Sequence, residues 1–191
     1  MLFIQAKNYT PASRTGQQIN LIVIHDEESP QGVNSAEDVA NYFAGPNAPQ
    51  ASAHCCADEN TIVRCVYSKD IAWAAPNANT RGYHIEHAGY AAQTKRVWLD
   101  ANNRKMLEHS ASWAATKAKQ FDITITHLTD YALIKAACEE DNGPTGFVGH
   151  KNVSAMSAHY NLPGDHSHTD PGDNFPWGYY LDLVKHYHSK L

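Results

Sequence analysis

The chain has 191 residues, enough for one domain with a substantial core, and its 42% hydrophobic and 18% charged residues, without charge blocks, exclude a disordered chain. Fifteen basic and twenty acidic residues leave a net charge of −5, which argues against a nucleic-acid partner, and no apolar stretch reaches membrane-spanning length. Histidine stands out: there are twelve, more than a core needs, and histidine is both the commonest metal ligand and the side chain that titrates near neutrality.

Residues 1–19 read as polar and irregular. Asn20 to Asp26 is a continuous, β-branched apolar run that ends in His25-Asp26, as in a strand buried on both faces. Glu27 to Asn34 is a loop, and Ser35-Ala-Glu-Asp38 resembles a capping box opening a helix that Gly45-Pro46 ends. Ala51–Ala57 and Thr61–Tyr67 read as a hairpin around Asp58-Glu59-Asn60. A turn carrying Trp73 and a loop from Pro76 to Gly82 lead to the strand Tyr83–His87. Its alternation puts His84 and Glu86 on one face and Tyr83, Ile85 and His87 on the other.

Asn102 to Phe121 has the apolar spacing of a covering helix, and Tyr131 to Cys138 that of a second, closed by Asn142-Gly143-Pro144. Phe147-Val-Gly-His150 is a short strand that also ends in histidine, and a C-terminal helix runs from Pro176-Trp177. The four cysteines lack CxxC spacing and read as small buried hydrophobes. The expectation is one α/β domain over residues 1–191, a single mixed central sheet with covering helices, without a separate second domain and favoured as a monomer.

The segment His166-Ser-His168-Thr-Asp170-Pro-Gly172 puts two imidazoles and a carboxylate on a loop that Pro-Gly keeps out of regular structure. His25 and His150 each end a predicted strand, and in open α/β sheets functional groups collect beyond the carboxyl ends of strands. If those strands are parallel neighbours, the Asp170 loop can close over their shared rim. Two imidazoles, one carboxylate and an open fourth position form the pattern of a catalytic zinc site. His159, Asp165 and His166 compete with Asp170 for the third place.

Val23-Ile-His25, Ser52-Ala-His54-Cys55, Asp70-Ile-Ala-Trp73-Ala, Gly82-Tyr-His-Ile-Glu86, Gly149-His150-Lys-Asn-Val153 and Thr169-Asp170-Pro171-Gly172 follow one another in this order. Together they resemble the zinc-dependent N-acetylmuramoyl-L-alanine amidases of the type 2 amidase and peptidoglycan-recognition-protein superfamily, phage endolysins most of all, over residues 20–185. The resemblance implies that fold, Zn2+ held by His25, His150 and Asp170, and Glu86 as the catalytic acidic residue. The position two before the last ligand is His168, which would face the oxyanion, with His166 and Lys151 as alternatives. Trp73, Asn79 and Tyr83 are expected in the substrate groove, His54 as its wall or behind the ligands, and His84 behind them too. This chain departs from the family in a long His150–Asp170 interval, in Ala53 where many relatives have tyrosine, and in Ala74 where a histidine is often found.

The activity implied is hydrolysis of the bond between N-acetylmuramic acid and L-alanine in bacterial peptidoglycan. Met1-Leu-Phe-Ile-Gln-Ala-Lys has too short an apolar run for a signal peptide, so the expectation is an endolysin held in the host cytoplasm and acting on the wall after release. The rivals are a non-catalytic peptidoglycan-binding module of the same fold and a zinc peptidase cutting within the stem peptide.

Overall fold

The computed structural model describes residues 1–191, apart from the side chain of Gln17. The residues expected to be irregular at the start form a strap: β1 (Tyr9–Thr10) later pairs with a strand far along the chain, and Phe3 bridges to Arg64. The long apolar run becomes β2 (Leu21–Ile24), buried throughout. Helix α1 (Ser35–Ala44) follows, but without the expected capping box. Ser35 donates its hydroxyl to the Pro30 carbonyl, and the free Ala36 N–H is taken by Asp58 Oδ2 at 3.1 Å, a partner from the hairpin turn.

The hairpin is shorter than expected: β3 (Cys55–Ala57) pairs antiparallel with β4 (Ile62–Arg64). Residues before β3 are drawn away from the ladder, as the Ser52 N–H donates to the Trp73 carbonyl. Next come β5 (Ile71–Ala72), the partner of β1, and β6 (Gly82–His87). A short α2 (Lys95–Trp98) precedes the long α3 (Ala101–Phe121), whose first N–H groups are capped by Asp100. Asp130 caps α4 (Tyr131–Glu139) in the same way.

Strand β7 (Gly146–Gly149) is followed at once by α5 (His150–His159), a helix that the sequence reading did not single out. Val153, Met156 and Ser157 bury its inner side, and Asn152 Oδ1 accepts the Gly149 N–H at 3.0 Å to close its first turn. His150 therefore opens a helix rather than ending a strand. Helix α6 (Trp177–His188) completes the chain.

The sheet order is β4-β3-β6-β2-β7, with the β3–β6, β6–β2 and β2–β7 pairs parallel and β4 antiparallel at the edge. Alternate residues of the central strands face two different environments. Ile22, Ile24, Tyr83, Ile85 and Phe147 pack under α3 and α6. Leu21, Val23 and Val148 pack under α4 and α5, while Cys56 and Val63 pack under α1. That second face is thus covered by two separate patches, and a groove opens between them at the strand ends. Among the described residues no helix is long and apolar enough to cross a membrane, and all four cysteines are free and buried.

Candidate metal centre and groove

His25 stands one residue past β2, still in register through its N–H to the Ile85 carbonyl at 2.9 Å. β7 is the parallel neighbour of β2, so the residue that follows it, His150, reaches the same rim. The two rings meet edge to face, with centroids 4.8 Å apart. Asp170 lies between them: its Oδ2 is 2.9 Å from His25 Nδ1 and its Oδ1 is 3.2 Å from His150 Nδ1. The three side chains are buried and their ligand atoms all lie within 4.8 Å of one another, the one such group of three or more among the described residues.

Local backbone demands hold the Asp170 loop in place. The Lys151 N–H donates to the Asp170 carbonyl at 2.8 Å, tying the loop to the first turn of α5. A Cβ on Gly149 would stand 2.7 Å from Pro171 Cδ, and one on Gly172 would stand 1.9 Å from the Ala91 carbonyl oxygen, at a φ of +87° that disfavours any side chain. The Pro-Gly after Asp170 is a fitted turn against two neighbouring segments.

Burial pushes the Asp170 carboxyl up, but hydrogen bonds from His150, His168 and His25 outweigh it and hold the group well below the usual carboxylate range. Burial brings His150 down to about 4, so its ring is neutral, as a ligand must be. His25 aims Nδ1 at the centre, leaving Nε2 to donate to His84 Nδ1 at 3.0 Å. His84 is itself pinned by its backbone N–H, which donates to His54 Nδ1 at 3.0 Å. Burial, with His25, His54 and Arg14 nearby, pushes His84 well below its ordinary value, so it stands as a neutral acceptor behind the ligand.

Glu86 is two residues beyond His84 on the same face and lines the groove. Its Oε2 is buried without a hydrogen-bond partner. Burial drives this carboxyl well above its ordinary range, and Asp170, Glu27 and Asp26 add to the effect. His168 stacks on His150 with centroids 3.8 Å apart and planes 21° apart, on the groove side of the centre. Its Nδ1 is 3.7 Å from Asp170 Oδ1, an ion-pair contact that raises its pKa.

The groove has a volume of about 530 Å³, within the range of small-ligand sites. Trp73 lines it, its indole N–H held by Thr10 Oγ1 at 2.8 Å. Asn79 does not reach the groove; its Oδ1 accepts the Ala74 and Ala75 N–H groups at 2.9 and 2.7 Å and so shapes the turn that presents Trp73. Tyr83 corrects the sequence reading more sharply. It is 1% exposed under α3, where its hydroxyl accepts the Trp113 indole N–H at 2.9 Å. The strand alternation had placed it opposite Glu86, and that alternation holds. His54 is likewise buried, stacked on Tyr83 at 4.5 Å, and acts on the site only through His84. His159, Asp165 and His166 are not part of the converging group.

Sequence reasoning passed over Asp26 and Glu27, which line the groove beside His25 and which burial, as the main cause, pushes up to about 8 each. Their signal was in view: an acidic run directly after a strand-end histidine. It also missed the apolar groove wall of Val39, Tyr42 and Phe43 from α1, which a helical pattern alone presents as core.

Two imidazoles and a carboxylate converging at parallel strand ends, with an unpaired carboxyl beside them, make the frame of a metal-assisted amide hydrolase. Residues 15–173 match the model of the N-acetylmuramoyl-L-alanine amidase family. The chain belongs to that family and is a peptidoglycan amidase.

Its fold is shared with solved structures. The Staphylococcus aureus hydrolase AmiA, solved with its ligand, superposes with a TM-score of 0.63 at 16% identity over 97% of this chain and 80% of that one. A mutant endolysin from Bacillus subtilis gives 0.59 at 14% identity, covering 96% of this chain and 97% of that one. The N-acetylmuramoyl-L-alanine amidase LysC from Clostridium intestinale URNW gives 0.55 at 15% identity, with 96% of both chains covered. No curated protein sequence matches the chain.

Proposed function

We propose that this amidase is a zinc-dependent endolysin that cleaves the amide between N-acetylmuramic acid and L-alanine. The observation that carries the reading is the convergence of His25, His150 and Asp170 beside the unpaired Glu86 carboxyl, in a groove open to a polymer. The donor set fits zinc: two imidazole nitrogens and a carboxylate, on residues that line the groove. A zinc ion bound there supplies an acidified water and a polarised carbonyl, lowering the water pKa from 15.7 to roughly 7.

The remaining steps belong to the protein. Glu86 accepts a proton from the attacking water and delivers it to the departing amide nitrogen, which its buried, unpaired position suits. His168, whose pKa is raised by the Asp170 carboxylate, stands on the groove side to donate to the oxygen that becomes negative as the carbonyl is attacked. His84 holds the His25 ring in the tautomer that leaves Nδ1 free to bind. Trp73 and the α1 wall offer apolar surface to sugar and peptide. The endolysin reading, with action on the wall after release from the host cytoplasm, is supported by the endolysins among proteins of the same fold. The chain is proposed to act as a monomeric catalytic domain.

The test is fragment analysis of digested cell walls, with and without chelator. The expected products are peptides with new L-alanine amino termini and glycans with intact lactyl groups, lost on chelation and restored by zinc. New termini inside the stem peptide, or cleavage indifferent to chelator, would overturn the reading.

A further inference from the structure

The groove lining is acidic beyond the residues of the metal centre. His25 is followed by Asp26 and Glu27, both lining the groove, and no lysine or arginine lines it among the described residues. Asp26 is 7% exposed; its Oδ1 accepts the Glu28 N–H at 3.1 Å, while its Oδ2 has no partner. Glu27 Oε2 accepts the Ser29 hydroxyl at 3.1 Å, and its Oε1 is buried without one. Two neighbouring buried carboxylates thus each keep one oxygen unsatisfied, at a cost that a fold ordinarily avoids. Glu28 stands apart, since its Oε1 already accepts the Ala91 N–H.

A second metal ion does not account for them. Among the described residues only His25, His150 and Asp170 bring three donor atoms within 4.8 Å, so Asp26 and Glu27 belong to no such cluster. Two separated acceptors suit a group that carries several donors and one positive charge, and a primary ammonium offers three N–H donors. Val39, Tyr42 and Phe43 supply an apolar wall in the same groove for the methylenes that would carry such a head group.

We propose that Asp26 and Glu27 form a subsite for a primary ammonium group of the substrate, the free side-chain amine of a diamino acid in the wall peptide. The inference rests on the amidase reading and adds a substrate preference to it: stems whose amine is free over stems whose amine is acylated. Asp26 Oδ2 and Glu27 Oε1 accept from the ammonium, and the apolar wall receives the chain that bears it.

The test compares a soluble muramyl peptide ending in lysine with the same compound acetylated on its ε-amine, using the zinc-loaded enzyme. The free amine is expected to give a kcat/KM roughly 10–100-fold higher, as one or two charge-assisted hydrogen bonds would. In Glu27→Gln and Asp26→Asn the ratio is expected to fall toward one, with a thermal midpoint check that each variant is folded. Calorimetric binding of both compounds to Glu86→Gln reads the same preference without turnover. Equal kcat/KM and equal affinity for the two compounds would overturn the subsite, as would a preference that survives in both acidic-wall variants. If neither compound is cleaved, the amidase reading fails, and the binding comparison still decides the ammonium subsite.

Discussion

The two faces of the one sheet are built from the same strands and treat their polar groups in opposite ways. Under α3 and α6, His87 lies between the His25 carbonyl at 3.0 Å and the Ser110 hydroxyl at 2.7 Å, and Ser110 goes on to the Tyr180 hydroxyl at 2.8 Å. Each contact of that relay ends on another protein group, while the Trp98 indole N–H is the buried donor left over on this face. On the other face Asp26, Glu27 and Glu86 each keep an oxygen buried and unpartnered, on residues that line the groove left where two helical patches stand apart. A closed network fixes the fold, whereas unsatisfied groups are kept for something that arrives from outside.

The strongest way to break that contrast is on the groove side. Glu86→Gln is expected to lower kcat by roughly 10²–10⁴-fold while bound zinc and the thermal midpoint stay as they were. Elemental analysis and steady-state rates on one preparation decide it; a variant that keeps its rate would take Glu86 out of proton transfer.

Leu107, fully buried on the inner side of α3, gives the converse. Leu107→Ala is expected to cost about 2–5 kcal/mol in chemical denaturation and to leave kcat/KM per folded molecule intact. A selective loss of activity at unchanged stability would show that the closed face also serves the chemistry.

A smaller effect tests the imidazole behind the ligand. His84→Leu removes the acceptor for His25 Nε2 and is expected to weaken zinc binding by roughly 10–100-fold. His84→Gln, which retains an acceptor, should recover part of the loss. Competition with a chromogenic chelator reads both, and equal affinity for all three proteins would reduce His84 to packing.

The smallest effect separates the faces by pH. Burial lowers His87 from 6.5 to about 4, so below 6.5 the unfolded chain binds more protons than the fold does. Stability from this group is complete above pH 6.5 and is lost as pH falls toward 4. The stability difference between the wild type and His87→Gln should shift by about 1.4 kcal/mol per pH unit across that window. Glu27, raised from 4.5 to about 8, has the opposite sign: stability is lost as pH rises from 4.5 to 8, and Glu27→Gln should remove that limb. Profiles of equal slope in both variants would erase the distinction.

The local signals proved reliable where a pattern has one physical cause. The apolar run before His25, the alternation of Tyr83 to His87 and the spacing of α3 and α4 all sit within a residue or two of their expected places. The helix α5 is hidden in the sequence because its histidines, serines and lysine give little apolar pattern until Val153 and Met156 are seen to face a core. The amidase family was visible in the order of short motifs, since each motif marks a strand end or turn that the groove requires. Tyr83 was expected in the groove as an aromatic face for sugar or peptide, but the alternation of its own strand turns it under α3.

The sequence by itself therefore determined the strands, the residue types at their ends and the family of the enzyme, because these depend on local pattern and chain order. Only the tertiary structure decided which third group converges on His25 and His150, since His159, Asp165 and His166 stand near Asp170 along the chain as competing donors. It also decided that Asp26 and Glu27 each keep one buried oxygen without a partner while Tyr83 and His54 are sealed away. The reason is that convergence and burial are properties of segments distant in sequence, fixed by parallel strand register and by where two helical patches fail to meet.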